Sequence, residues 1–109
     1  MPAWTVDLKE SVIDDLQALG IKQVRAVLKE ASTRLAETPL AQTRHLKTLR
    51  PNQVAERELR LFGRYRVLFT VAEAEATVTI VLVGEERGNS LYVQGKRITA
   101  HESRSTERG

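Results

Sequence analysis

Hydrophobic and polar positions alternate most cleanly between Arg57 and Gly84, RELRLFGRYRVLFTVAEAEATVTIVLVG. The stretch reads as three consecutive antiparallel strands. The first two join at a tight turn around Gly63, and the second and third at the polar turn Glu73–Ala76. If Phe62-Gly63-Arg64 form a three-residue loop, Arg60 lies opposite Arg66 and Leu61 opposite Tyr65. Leu59, Leu61, Tyr65, Val67, Phe69 and Val71 then share one face, while Glu58, Arg60 and Arg66 share the other. A two-residue Gly-Arg turn would set Arg66 beside Leu59 and Leu61. A one-residue slip exchanges the faces of a whole strand, so the three-residue loop is the expected register.

Upstream, Trp4, Val6 and Leu8 alternate with Thr5 and Asp7, the pattern of a short strand with one buried face. Ser11 stands where an N-cap would, with Asp14 three residues on. Val12, Ile13, Leu16 and Leu19 form a helical stripe that ends at Gly20. A second helix is expected from about Lys22 to Ala36, with Val24, Val27, Leu28, Ala31 and Leu35 on one side. So short a break predicts an antiparallel helical hairpin whose apolar side covers the sheet's apolar face. Asp14, Asp15, Lys22, Lys29 and Glu30 then face water. Pro39 closes this part. The polar segment Leu40–Ala55 reads as a connection crossing a sheet edge, anchored by Leu46 and Leu49, with Arg44, His45, Lys47 and Arg50 exposed.

Val78, Ile80, Val81, Leu82 and Val83 form a nearly unbroken apolar run, as in a central strand covered on both faces over part of its length. Glu85–Asn89 reads as a turn and Leu91–Val93 as a short further strand, with Ile98 packing back. The expected fold class is α+β: an N-terminal strand and an antiparallel helical hairpin on one face of a mainly antiparallel sheet of three to five strands. One domain spans residues 1–102, and the polar residues 103–109 are expected to be a disordered tail.

Composition narrows the chemistry. The chain of 109 residues has no cysteine and two histidines, His45 and His101, far apart in sequence. A thiolate site is excluded and a dedicated transition-metal site is not expected; nor does any motif call for a cofactor. The opening MPAWTVDLKE lacks a basic stretch followed by an apolar run, and no segment approaches the ~18 apolar residues of a membrane span, so the expected location is the cytoplasm, without membrane contact. The net charge of +3 is unevenly spread. Residues 44–70 carry seven Lys/Arg against two Glu, a net of +5, whereas residues 71–94 carry one against four, a net of −3. The excess sits on and just before the central hairpin and points to a polyanionic partner there.

The order of parts resembles the RelE/ParE superfamily of toxins from type II toxin–antitoxin systems. The resemblance runs from about residue 4 to residue 93. It rests on Leu46-Lys47-Thr48-Leu49, on Glu58-Leu59-Arg60 with Tyr65-Arg66-Val67-Leu68-Phe69, on the strand ending in Val83-Gly84, and on the Arg/Tyr turn that follows. It implies a RelE-like fold and a cognate antitoxin. It also implies one of two activities: cleavage of mRNA on the ribosome, as in RelE- and HigB-like members, or poisoning of DNA gyrase, as in ParE-like members. Some members have no established activity and would only bind an antitoxin.

For cleavage the resemblance implies attack of a ribose 2′-OH on the adjacent phosphate, without metal, leaving a 2′,3′-cyclic phosphate. That chemistry needs proton transfer at two oxygens and fixed cations for the phosphorane, a role the always-protonated, fork-shaped guanidinium fits. Arg66 matches the family's phosphate-stabilising arginine, Tyr92 its late tyrosine and His101 its late histidine. The second arginine falls in the Glu85–Arg87 segment: counting back from Tyr92 without a gap gives Glu86, and a one-residue shift gives Arg87. Either Glu85 or Glu86 could accept a proton. The basic residues that precede Leu-Arg in RelE are Glu56 and Glu58 here, closer to the HigB pattern. The candidate catalytic set is therefore Arg66, Arg87, Tyr92 and His101, with Lys47, Arg50, Arg60 and Arg64 as candidate RNA contacts. Glu58 is placed to pair with Arg60.

Overall fold

The expected register of the central hairpin is the one observed: β3 (Arg57–Leu61) pairs with β4 (Tyr65–Ala72), with Arg60 opposite Arg66 and Leu61 opposite Tyr65. The turn is closed by the Arg64 N–H donating to the Leu61 carbonyl at 3.1 Å. Phe62 and Gly63 both take positive φ, 56° and 64°, and Phe62 stands in solvent at the tip. The computed structural model describes residues 4–98. His101 and the expected tail at 103–109 lie outside the described residues, as does part of the expected domain span.

Ahead of the hairpin come β1 (Thr5–Leu8), α1 (Val12–Gln17), α2 (Ile21–Glu37) and β2 (Leu46–Thr48). After it, a 3₁₀ turn at Glu73–Glu75 leads into β5 (Thr77–Arg87), β6 (Ser90–Val93) and β7 (Lys96–Ile98). The strand order is β2-β3-β4-β5-β6-β7, all antiparallel neighbours, and β1 runs parallel to β5. The sheet is thus wider than the expected three to five strands. β2 is the edge that the Leu40–Ala55 connection becomes, and β7 is added after a second hairpin. Because β4 occupies one side of β5 throughout, β1 and β6 share the other: β1 pairs with Thr77–Ile80 and β6 with Glu85–Arg87. Glu85–Arg87, expected in a turn, is the end of a strand.

Side-chain alternation gives the sheet two cores. Leu59, Leu61, Tyr65, Val67 and Phe69 join Val78, Ile80 and Val83 under the helices, meeting Val12 and Leu16 of α1 and Val27, Ala31 and Leu35 of α2. The opposite face holds a smaller cluster of Ala55, Leu68, Leu91 and Val93, with Leu49, Val54, Val81, Leu82 and Ile98 against it. A bulge divides the apolar run of β5 between them. Pairing moves from Leu68–Leu82 to Phe69–Ile80, so Val81 is the extra residue, and Ile80 and Val83 both reach the helix side. Gly84 is required where β6 folds over: a Cβ there would lie 2.7 Å from the Tyr92 carbonyl oxygen and 2.8 Å from Leu91 and Val93 side-chain carbons.

Two expectations about the helices fail for identifiable reasons. Ser11 is itself in the helical region and its side chain makes no capping bond. Asp15, expected in water, is 5% exposed. It accepts from the Val83 N–H at 3.1 Å and from Gln94 Nε2 at 2.6 Å. Val83 lies between the stretches of β5 that β1 and β6 pair with, where no strand satisfies its N–H, and the carboxylate takes that place. No helix among the described residues is long and apolar enough to cross a membrane.

Candidate nucleic-acid interface

The face away from the helices carries the charged residues of the hairpin in a row across strands. The Arg60 N–H donates to the His45 carbonyl at 2.7 Å, Arg60 is opposite Arg66, and Arg66 is opposite Gly84. Leu46 points into the helix-side core, so His45 and Lys47 on either side of it point the other way. Lys47 is opposite Glu58. Arg60 and Arg66, at the ~4.8 Å strand spacing, are therefore fixed by strand pairing, and His45, just ahead of β2, is joined to the row by its carbonyl's bond from Arg60.

Two arginines directly opposite one another repel, and the sheet compensates them with carboxylates. Glu58 Oε2 lies 2.9 Å from Arg60 Nε and 3.8 Å from Arg66 Nε. Glu86 Oε2 lies 2.9 Å from Arg66 Nη2, and its Oε1 is 4.0 Å from Arg60 Nη1. The four side chains close into a ring of alternating charge. The hydrogen bond that Arg60 donates to Glu58 is the main reason its guanidinium is held even more firmly protonated than usual, against a smaller opposing effect of burial. Arg66 shares the face of Arg60 as expected, but it is not open: it is only 9% exposed and enclosed by Glu58 and Glu86.

Beside the ring lies a cleft of about 490 Å³. Lys47 and Arg50 form one wall, Asn89 and Leu91 the other, with Leu68 and the ring between them. Four cations line it (Lys47, Arg50, Arg60, Arg66) against the one carboxylate of Glu58. The Arg50 wall is held by Asn52, whose Oδ1 accepts from the Val54 and Ala55 N–H groups and whose Nδ2 donates to the Arg50 carbonyl at 2.7 Å. Arg57, buried without a carboxylate, donates to the Pro39 and Ala41 carbonyls and ties the start of the connection to β3. A second hollow of about 180 Å³ adjoins at the hairpin tip, lined by Arg44, His45, Arg60, Gly63, Arg64, Tyr65 and Glu86. Arg60 is common to both.

The candidate catalytic residues are not all brought together. Glu86 is opposite Leu91 and belongs to the face of Arg66, so Arg87 and Tyr92 alternate to the other face. There the Arg87 guanidinium sits 4.8 Å from the centre of the Tyr92 ring and 3.2 Å from Glu85 Oε1. Arg64 also donates to Glu85, and this bond above all, with the bond from Arg87 behind it, holds the Glu85 carboxyl below the usual carboxylate range. Of the two residues Glu86 and Arg87, it is Glu86 whose side chain reaches the ring. Lys47, Arg50 and Arg60 converge on the cleft, and Arg64 lies at its end in the hollow. His45 was missed as a site residue because β2 was missed: without its pairing nothing in the sequence sets residue 45 beside residue 60.

No protein-family model matches the chain, and no curated protein sequence matches it. Among solved structures, the chain is similar to one in the RelBE2 toxin–antitoxin complex from Mycobacterium tuberculosis, with a TM-score of 0.67 and 29% identity over 79% of this chain and 94% of that one. It is also similar in fold to a chain of the archaeal RelE–RelB complex from Pyrococcus horikoshii, with a TM-score of 0.62 and 22% identity over 81% and 99%.

Proposed function

This chain is a RelE-superfamily protein, and from that premise we propose that it is the toxin of a type II toxin–antitoxin pair and cleaves mRNA on the ribosome without metal. The observation that carries the reading is the basic cleft, which gathers four cations against one carboxylate, a lining suited to a ribose–phosphate backbone. Lys47 and Arg50 hold flanking phosphates. Arg60 and Arg66 stabilise the charge that builds on the phosphorane, once the incoming phosphate has taken the place of a ring carboxylate.

The partner is an antitoxin with an acidic segment for the cleft and an apolar segment for a second, uncharged groove of about 440 Å³ between β1 and the helices. Leu8 and Ile13 stand 42% and 50% exposed there. A second reading, a toxin that binds DNA gyrase and cleaves nothing, draws on one observation: Glu58 and Glu86 already neutralise Arg60 and Arg66.

Expression of the chain alone in a bacterial host separates the two. The cleavage reading expects growth arrest with ribosome-phased mRNA cuts. Both should be abolished by Arg66→Lys, which keeps the charge but loses the fork, and by the surface pair Lys47→Ala with Arg50→Ala, which cannot act by unfolding the core. Intact mRNA with a supercoiling defect would establish the gyrase reading instead.

A further inference from the structure

His45 is an exposed imidazole on the cleft face, one strand across from Arg60 and in the hollow that Arg60 divides from the main cleft. Nothing in the fold needs it: its side chain is in neither core, and its backbone carbonyl alone accepts from Arg60. The groups facing it are Arg44 on its own segment, Arg60 on β3, Arg64 and Tyr65 on β4 and Glu86 on β5. Three guanidiniums therefore share the hollow with the imidazole. A phosphate held on Arg60 thus lies one strand spacing from the position of His45 in the row.

We propose that His45 is the general base of the RNA-cleaving site, an inference that rests on the cleavage reading above. Its neutral ring nitrogen takes the proton of the ribose 2′-OH as the 2′ oxygen forms its bond to phosphorus. The bond from phosphorus to the 5′ oxygen breaks, that oxygen takes a proton from water, and the imidazolium returns its proton to solvent. The products are a 2′,3′-cyclic phosphate and a 5′-OH, and the balance needs no metal, oxidant or further co-reactant. Histidine's role here is separate from that of the ring: the arginines bind charge, and His45 moves the proton.

The test is single-turnover cleavage of mRNA on programmed ribosomes by the full chain, from pH 5 to pH 9. Wild type is expected to speed up as pH rises, as a reaction that needs a free proton acceptor does. His45→Gln should slow cleavage by about 10²–10⁴-fold, flatten that rise and leave the melting temperature and ribosome affinity unchanged. His45→Ala should regain part of its rate when free imidazole is added, which a merely structural role would not allow. A wild type that cleaves beside a His45→Gln that keeps both rate and pH profile would overturn the role of His45 and leave the cleavage reading standing. A wild type that cuts no RNA under any of these conditions would overturn both.

Discussion

Glu86→Gln should move stability and RNA affinity in opposite directions. The glutamine carbonyl can still accept from Arg66 Nη2, now 2.9 Å from the carboxylate, but its NH2 replaces the oxygen that accepts from Arg66 Nε at 3.3 Å, so the ring loses that weaker bond along with a charge. A hydrogen bond to a charged acceptor contributes roughly 1 kcal/mol more than one to a neutral acceptor, so stability should fall by about that much. For a domain of this size the melting temperature should drop by about 4–8 °C. The ring beside the cleft meanwhile loses a negative charge. For a phosphate ~6 Å from the lost charge at an effective dielectric near 40, the gain is about 1.4 kcal/mol, close to tenfold in affinity. Thermal melts, with fluorescence anisotropy of a short single-stranded RNA over a salt series, read both quantities. The reasoning fails if the variant binds RNA no better than wild type at low salt, for then Glu86 does not compete with the anion.

The other predictions concern separate links. Gly84→Ala should lower the melting temperature sharply, because the added Cβ meets the Tyr92 backbone oxygen and cannot be relieved by a rotamer change; a melt unchanged within error would refute the close packing of β6 on β5. Glu85 has its folded pKa depressed, so its contribution is complete above the ordinary carboxylate pKa of about 4.3 and fades as pH falls through the lower folded value. The stability gap between wild type and Glu85→Gln should therefore be flat at neutral pH and close in acid, as urea melts from pH 7 to pH 3 would record; a gap that widened in acid would refute the sign.

The central hairpin was legible because its alternation is long: a slip would have set Arg66 beside Leu59 and Leu61 on the apolar face, and the observed register avoids it. The strands that escaped notice are short and lie at or near the edges. β2 offers only Leu46 to a core, and Lys47 and Thr48 look like loop residues because they are in water. Glu85–Arg87 looked like a turn for the same reason. These residues are strand because Glu86 is neutralised by Arg66 and Glu85 by Arg64 and Arg87, partners that only the folded sheet supplies. The candidate site was legible in its residue types and in the Arg60–Arg66 pairing. The closure of the ring by Glu86 and the entry of His45 both depended on pairings at the sheet's margins.

Asp15 gives the two faces of the sheet a common fastening. One oxygen grips the middle of β5 and the other grips Gln94 in the turn beyond β6, while the same short helix presents Ile13 and Leu16 to the apolar groove. Through Gln94, α1 is tied to the hairpin whose Leu91 walls the basic cleft, so one short helix bears both on the apolar groove and on the strand pair behind the charged face.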